Sequence, residues 1–156
     1  MKLQVAADWV EAPLKVFLND ARANIAVLMH PSGQVLGQYG FVRSVDVVTA
    51  CALGAAIHAS SAELGRRLDG KPFVGMHYAG EHKQLFLAPV PVADGVLLLL
   101  AVFDSESSLG LVQLFFKEFA VAVAKVAPVF KSAEAALAVD FEGELNKNLA
   151  AMFGRG

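Results

Sequence analysis

The run GRRLDGKP, Gly65 to Pro72, has the G-x-x-x-x-G-K spacing with which a glycine-rich loop cradles a phosphate and a lysine reaches it. Pro72 stands where such a loop needs Ser or Thr to meet magnesium. The loop should also join a strand to a helix, whereas the surrounding pattern reads helix to strand, so Gly70 is expected simply to stop a helix. His30, His58, His77 and His82 show no metal-ligand spacing and no companion cysteine pair; His77 and His82 bracket a turn without further ligands. Cys51, set among alanines, reads as a small core side chain. Asp104 and Ser108 have the side-chain types of hydrolase chemistry. Their places fit structural work better: Asp104 ends a strand, and Ser107 or Ser108 caps the helix that follows. No catalytic residue, metal or cofactor is expected.

The chain around these residues has 156 positions, enough for one core and an appendage. At 56% hydrophobic it is not disordered as a whole, and 13 basic against 15 acidic residues leave no footprint for nucleic acid. One cysteine cannot build an intrachain disulfide, which suits a cytoplasmic location. The start, MKLQVAADWVEAP, lacks the apolar run of a signal peptide. Val45–Ile57 is short of the about 20 residues a membrane span needs. Leu85–Phe103 is interrupted by Pro89, Pro91, Asp94 and Gly95 and reads as two strands about a turn, so no membrane insertion is expected.

Periodicity and turn chemistry place a first helix over Asp8–Arg22, with Pro13 in its first turn or at its true start. Strands follow over Asn24–His30 and Gln34–Phe41, then a second helix over Ser44–Leu68. Three more strands cover Pro72–Ala79, Gln84–Val92 and Val96–Asp104, and a third helix covers Ser107–Val126, limited by Pro128. The prolines of the fourth strand are expected to introduce a bulge or shorten it. The fifth strand, apolar on both faces, belongs in the centre of the sheet. The order α-β-β-α-β-β-β-α describes an α+β fold: a five-stranded antiparallel sheet with helices on both faces, over residues 1–130. Residues 131–156 read as a linker and a short C-terminal helix.

The second helix has no charged residue from Val47 to Ala62. Projected at about 100° per residue it shows two stripes. Leu53, Ile57, Leu64 and Leu68 form a large aliphatic stripe, expected on the protein's own sheet. Val48, Ala52, Ala55, Ala59, Glu63 and Arg66 form a mostly small stripe, open to close approach by another backbone. An ordinary helix buried under the first helix or a loop would also be apolar all round. His58 is the one basic side chain in the run, either a rim histidine half covered by a second subunit or a polar contact to a partner.

The element order, the alanine-rich second helix and the run GVLLLLAVFDSESSLGLVQL, Gly95 to Leu114, resemble the Roadblock family. The F-D-x-x-S-S-L-G passage from Phe103 to Gly110 is similar to its bacterial MglB-like branch, and the resemblance covers about residues 9–130. It implies a homodimer joined through the edge strand, with Phe73, Val74, Gly75, Met76, His77 and Val48 at the interface. It also implies a platform of paired second helices that binds a Ras-like small GTPase and stimulates GTP hydrolysis by fixing the GTPase's own catalytic groups. On this sequence the platform falls on Ala52, Ala55, Ala56 and Ala59, with Glu63 and Arg66 at its polar end. Arg43, Arg66 and Arg67 are the arginines available to act in trans, a mode the resemblance does not imply. A non-catalytic dimeric scaffold is the alternative. A ligand-binding sensory domain shares the layout, but no convergent polar cluster appears in the expected core.

In the tail, Asp140 is a good N-cap, and Phe141, Leu145, Leu149 and Met152 recur on one stripe before Gly154. This stripe docks on the GTPase, as the resemblance implies, or on the protein's own dimer, or it is a frayed end.

Overall fold

The computed structural model describes residues 8–40 and 46–128. Along them run α1 (Asp8–Ala21), β1 (Ile25–Met29), β2 (Val35–Gly40), α2 (Val47–Asp69), β3 (Met76–Ala79), β4 (Gln84–Val92), β5 (Gly95–Phe103) and α3 (Leu109–Val126). The order is the expected one. The sheet is antiparallel throughout, with strands in the order β2-β1-β5-β4-β3. Arg43 and the tail residues Phe141, Leu145 and Leu149 lie outside the described residues.

Alternation along β5 makes it central. Leu97, Leu99, Ala101 and Phe103 join the core under α1 and α3, while Leu98, Leu100 and Val102 belong to the face under α2. The two faces are unequally filled. Under α1 and α3 the aromatic rings interlock, Phe17 with Phe119 at 5.5 Å and Phe86 with Phe116 at 5.3 Å. Under α2 the cluster is smaller, and Cys51 is the buried hydrophobic residue that this helix gives it. Ser107 donates its hydroxyl to the Ala21 carbonyl, tying the end of α1 to the start of α3, so these helices run antiparallel.

Caps set the helix ends. Asp46 accepts from the Thr49 amide at 3.2 Å and from its hydroxyl at 2.7 Å, so α2 starts after Asp46 and not at Ser44. Gly70, at φ 77°, stops α2 as expected, its N–H donating to the Arg66 carbonyl. Ser108 caps α3 by accepting from the Leu111 amide at 3.2 Å. Asp104 accepts from the Glu106 amide at 2.9 Å in the turn after β5.

Three expectations need correction. Pro13 lies inside α1, five residues past its first residue Asp8, where the missing N–H weakens the helical ladder. Pro89 and Pro91 neither bulge nor shorten β4, which pairs with β5 without a register shift from Gln84↔Phe103 to Val92↔Gly95. The Gly80 N–H donates to the Lys83 carbonyl, which turns the main-chain groups of odd-numbered β4 residues toward β3. Because β3 pairs only as far as Met76↔Leu87, both prolines fall where no N–H is needed. Finally, β3 begins at Met76 and not at Pro72, because the preceding residues wrap against α2.

At 23 residues α2 exceeds the Val45–Ile57 run, and by length and composition alone it is long and apolar enough to cross a membrane. Here it lies along the sheet through Cys51 and Gly54.

Candidate functional site

The face of α2 that meets the sheet is not the expected one. Its buried residues are Cys51, Gly54, Ala62 and Gly65, whereas Leu53, Leu64 and Leu68 are 60%, 51% and 71% exposed. Ile57 alone of the large stripe is partly buried against the sheet. The reason is distance of approach. A Cβ on Gly54 would sit 2.9 Å from Met29 Cε and 3.2 Å from Leu100 Cδ1, and one on Gly65 would sit 2.5 Å from the Phe73 nitrogen. The helix comes in on its smallest residues and leaves the leucines outside. The signal was present in the sequence: Cys51-x-x-Gly54 recurs eleven residues later as Ala62-x-x-Gly65, three turns on and on the same face.

The outward surface therefore carries two flanks. Ala52, Ala56, Ala59, Glu63 and Arg66 are exposed on one, with Val48 exposed nearby and Ala55 half-buried at its margin. Leu53, Leu64 and Leu68 form the other. Glu63 holds both arginines of this helix, Arg66 at 3.1 Å and Arg67 at 2.9 Å, in exposed pairs that orient the side chains more than they stabilise the fold.

At the sheet edge, Phe73 and Gly75 are exposed, Val74 is 84% exposed, Met76 is half-buried and His77 is exposed. The pairing register points the main-chain groups of His77 and Ala79 away from β4, toward the open edge. His77 bonds Gln84 through Nε2 at 2.7 Å and stacks on Phe103. The expected interface residues of strand and helix are thus exposed apart from the half-buried Met76, while His82 is not brought to His77 by any contact among the described residues. Nor do the described residues hold a group of three or more His, Cys, Asp or Glu that could bind a metal.

Between α2 and the sheet lies a cleft of about 260 Å³, walled by Val27, Leu53, Ile57, Leu85, Leu100 and Val102. Cys51 lies in it, and burial pushes its thiol up to about 11.

His58 falls on the sheet-facing strip between Gly54 and Ala62, inside the rim where the sequence places it. Desolvation by burial, and then the nearby Arg66 charge, hold its imidazole below the ordinary 6.5. The unfolded chain therefore binds the proton more readily. The contribution is fully present above pH 6.5 and is lost as pH falls through the lowered folded value. Thermal melts at about pH 7 and about pH 5 should show a drop in Tm that is smaller for His58→Gln. An identical drop in the variant would remove His58 as its source.

Among solved structures the chain is similar to Myxococcus xanthus MglB, at 25% sequence identity and a TM-score of 0.68, covering 80% of this chain and 97% of that one. It is similar to the gliding protein MglB of Thermus thermophilus, at 24% identity and a TM-score of 0.68, covering 81% and 98%. It also shares its fold with a Roadblock/LC7 domain from Streptomyces avermitilis, at 16% identity and a TM-score of 0.63, covering 76% and 95%. No family model matches the sequence, and no curated protein sequence does.

Proposed function

Because the chain belongs to the Roadblock/LC7 family, in its MglB-like branch, we propose that it is a homodimeric regulator that binds a Ras-like small GTPase and stimulates its GTP hydrolysis. The observation that carries this reading is the outward surface of α2: apolar, free of charge from Val47 to Ala62, and anchored below by only a narrow strip of small residues. So much exposed aliphatic surface on one helix marks an interaction site.

The two flanks divide the work. The leucine flank serves the second copy: Leu64 and Leu68 border Gly65, which packs against Phe73, so this flank is continuous with the exposed residues before β3. The β3 edge of one copy pairs with that of the other, removing an otherwise open strand. The alanine flank, Ala52, Ala55, Ala56 and Ala59 with Glu63 and Arg66, takes the GTPase, whose switch segments approach closely over short side chains. Phosphoryl transfer is accelerated mostly by positioning and charge stabilisation, so a platform without an active site can act by holding switch loops closed. Arg66 and Arg67 are engaged by Glu63, which fits a platform that positions rather than inserts an arginine.

Light scattering at micromolar concentration should report twice the 16.5 kDa chain mass. GTP turnover by the cognate GTPase should rise when this protein is added and rise less with the chain truncated after Val139, which lacks the tail stripe. A dimer that binds the GTPase without changing turnover would leave only the scaffold role. A strict monomer would remove both.

A further inference from the structure

We propose that in the free protein the tail stripe of Phe141, Leu145, Leu149 and Met152 lies in the groove between α1 and α3 of its own chain. That groove, about 530 Å³, is walled by Trp9, Val16 and Phe17 from α1 and by Phe115, Phe119 and Val126 from α3. Among the described residues nothing fills it, and Val16 at its lip is 58% exposed.

Length and chain path select the occupant. The groove residues run from Asp8 to Asp20 on α1 and from Phe115 to Val126 on α3. The two runs are twelve and eleven steps, or about 17 Å of helix, and the stripe from Phe141 to Met152 spans eleven steps. Val126 both ends α3 and lines the groove, so the chain leaves the domain at the groove's own mouth. The stretch from Val126 to Asp140 reaches up to about 46 Å when extended, more than twice the groove's length. A third helix on the antiparallel pair buries its apolar stripe against two others. The cleft under α2 is on the opposite face of the sheet, and the groove beside β3 adjoins the edge assigned to the second copy.

Such a tail would have to leave its groove to contact a GTPase, so self-docking would lower its apparent affinity until the partner competes it away. That consequence rests on the function proposed above. The docking itself does not, and it is tested without any GTPase.

A helix of about 14 residues with Gly143 inside is marginal alone and its amides exchange freely. In the full chain, amides between residues 141 and 152 should exchange at least about tenfold more slowly than free peptide, and Val16→Lys at the exposed lip should abolish the protection. Trp9, the one tryptophan, supplies a second readout. Its emission should shift to the red, and iodide should quench it more strongly, when Leu145 and Leu149 are both changed to Glu in the full chain. Unprotected tail amides in the native chain, protection that survives Val16→Lys, or a Trp9 signal indifferent to the tail variant would each overturn the proposal. Protection that fades on dilution would assign the groove to another copy's tail and overturn it as well.

Discussion

Gly65→Ala is expected to destabilise the domain by about 2 kcal/mol, although alanine is the better helix former by about 1 kcal/mol. The new methyl would meet the main chain of one segment: the Phe73 nitrogen at 2.5 Å, the Lys71 carbonyl oxygen at 2.8 Å and the Pro72 carbonyl carbon at 3.0 Å. No rotamer can relieve contacts with backbone, so the segment leading into β3 must move. The same substitution should therefore weaken self-association through the edge strand, read as a lower mean mass on dilution. Gly110→Ala in α3 is the control, because a methyl there meets nothing within 4 Å. Urea melts of the two variants should move in opposite directions. If Gly65→Ala is as stable as the native chain, the tight seat of α2 against the Lys71–Phe73 segment is wrong.

Ala59→Arg should leave the melting curve almost unchanged, since Ala59 is exposed on the free chain. It should nevertheless weaken GTPase binding by at least about a hundredfold, the ~3 kcal/mol cost of an unpaired charge buried at a contact. Leu64→Arg, on the other flank, should leave GTPase contacts in place per subunit and instead yield a monomer. Titration of labelled GTPase and light scattering on both variants separate the two effects. Should Ala59→Arg give the monomer and Leu64→Arg lose the GTPase, the flanks are assigned the wrong way round. Unfolding by Ala59→Arg would put that residue in the core.

The layering was legible because strands and helices announce themselves by period and by punctuation. Gly70 and Ser108 end and begin helices by local chemistry alone, and β5 is central because both of its faces are apolar. The sheet-facing side of α2 was not legible from hydrophobicity, which ranks side chains by their aversion to water. What decided the face was how closely two backbones can approach, and there Gly54 and Gly65 outrank Leu53 and Leu64. The prolines of β4 were misjudged for a related reason. Their effect depends on which side of the strand lacks a neighbour, and the short span of β3 settles that. Of the described site residues on α2 and β3, Ala55 and Met76 are half-buried and the others exposed, but no local rule in the sequence separates a face for a second copy from a face for a GTPase.

The chain has a single thiol, and it lies beneath α2 with its sulfur sealed from solvent and its acidity suppressed. Alkylating reagents attack the thiolate, so Cys51 should react slowly while the helix is seated and faster when α2 lifts from the sheet. Its labelling rate is thus a clock for that one motion, readable by mass without any engineered probe. Whatever clamps the outer side of the helix, a second copy or a bound GTPase, should slow the clock in proportion to its occupancy.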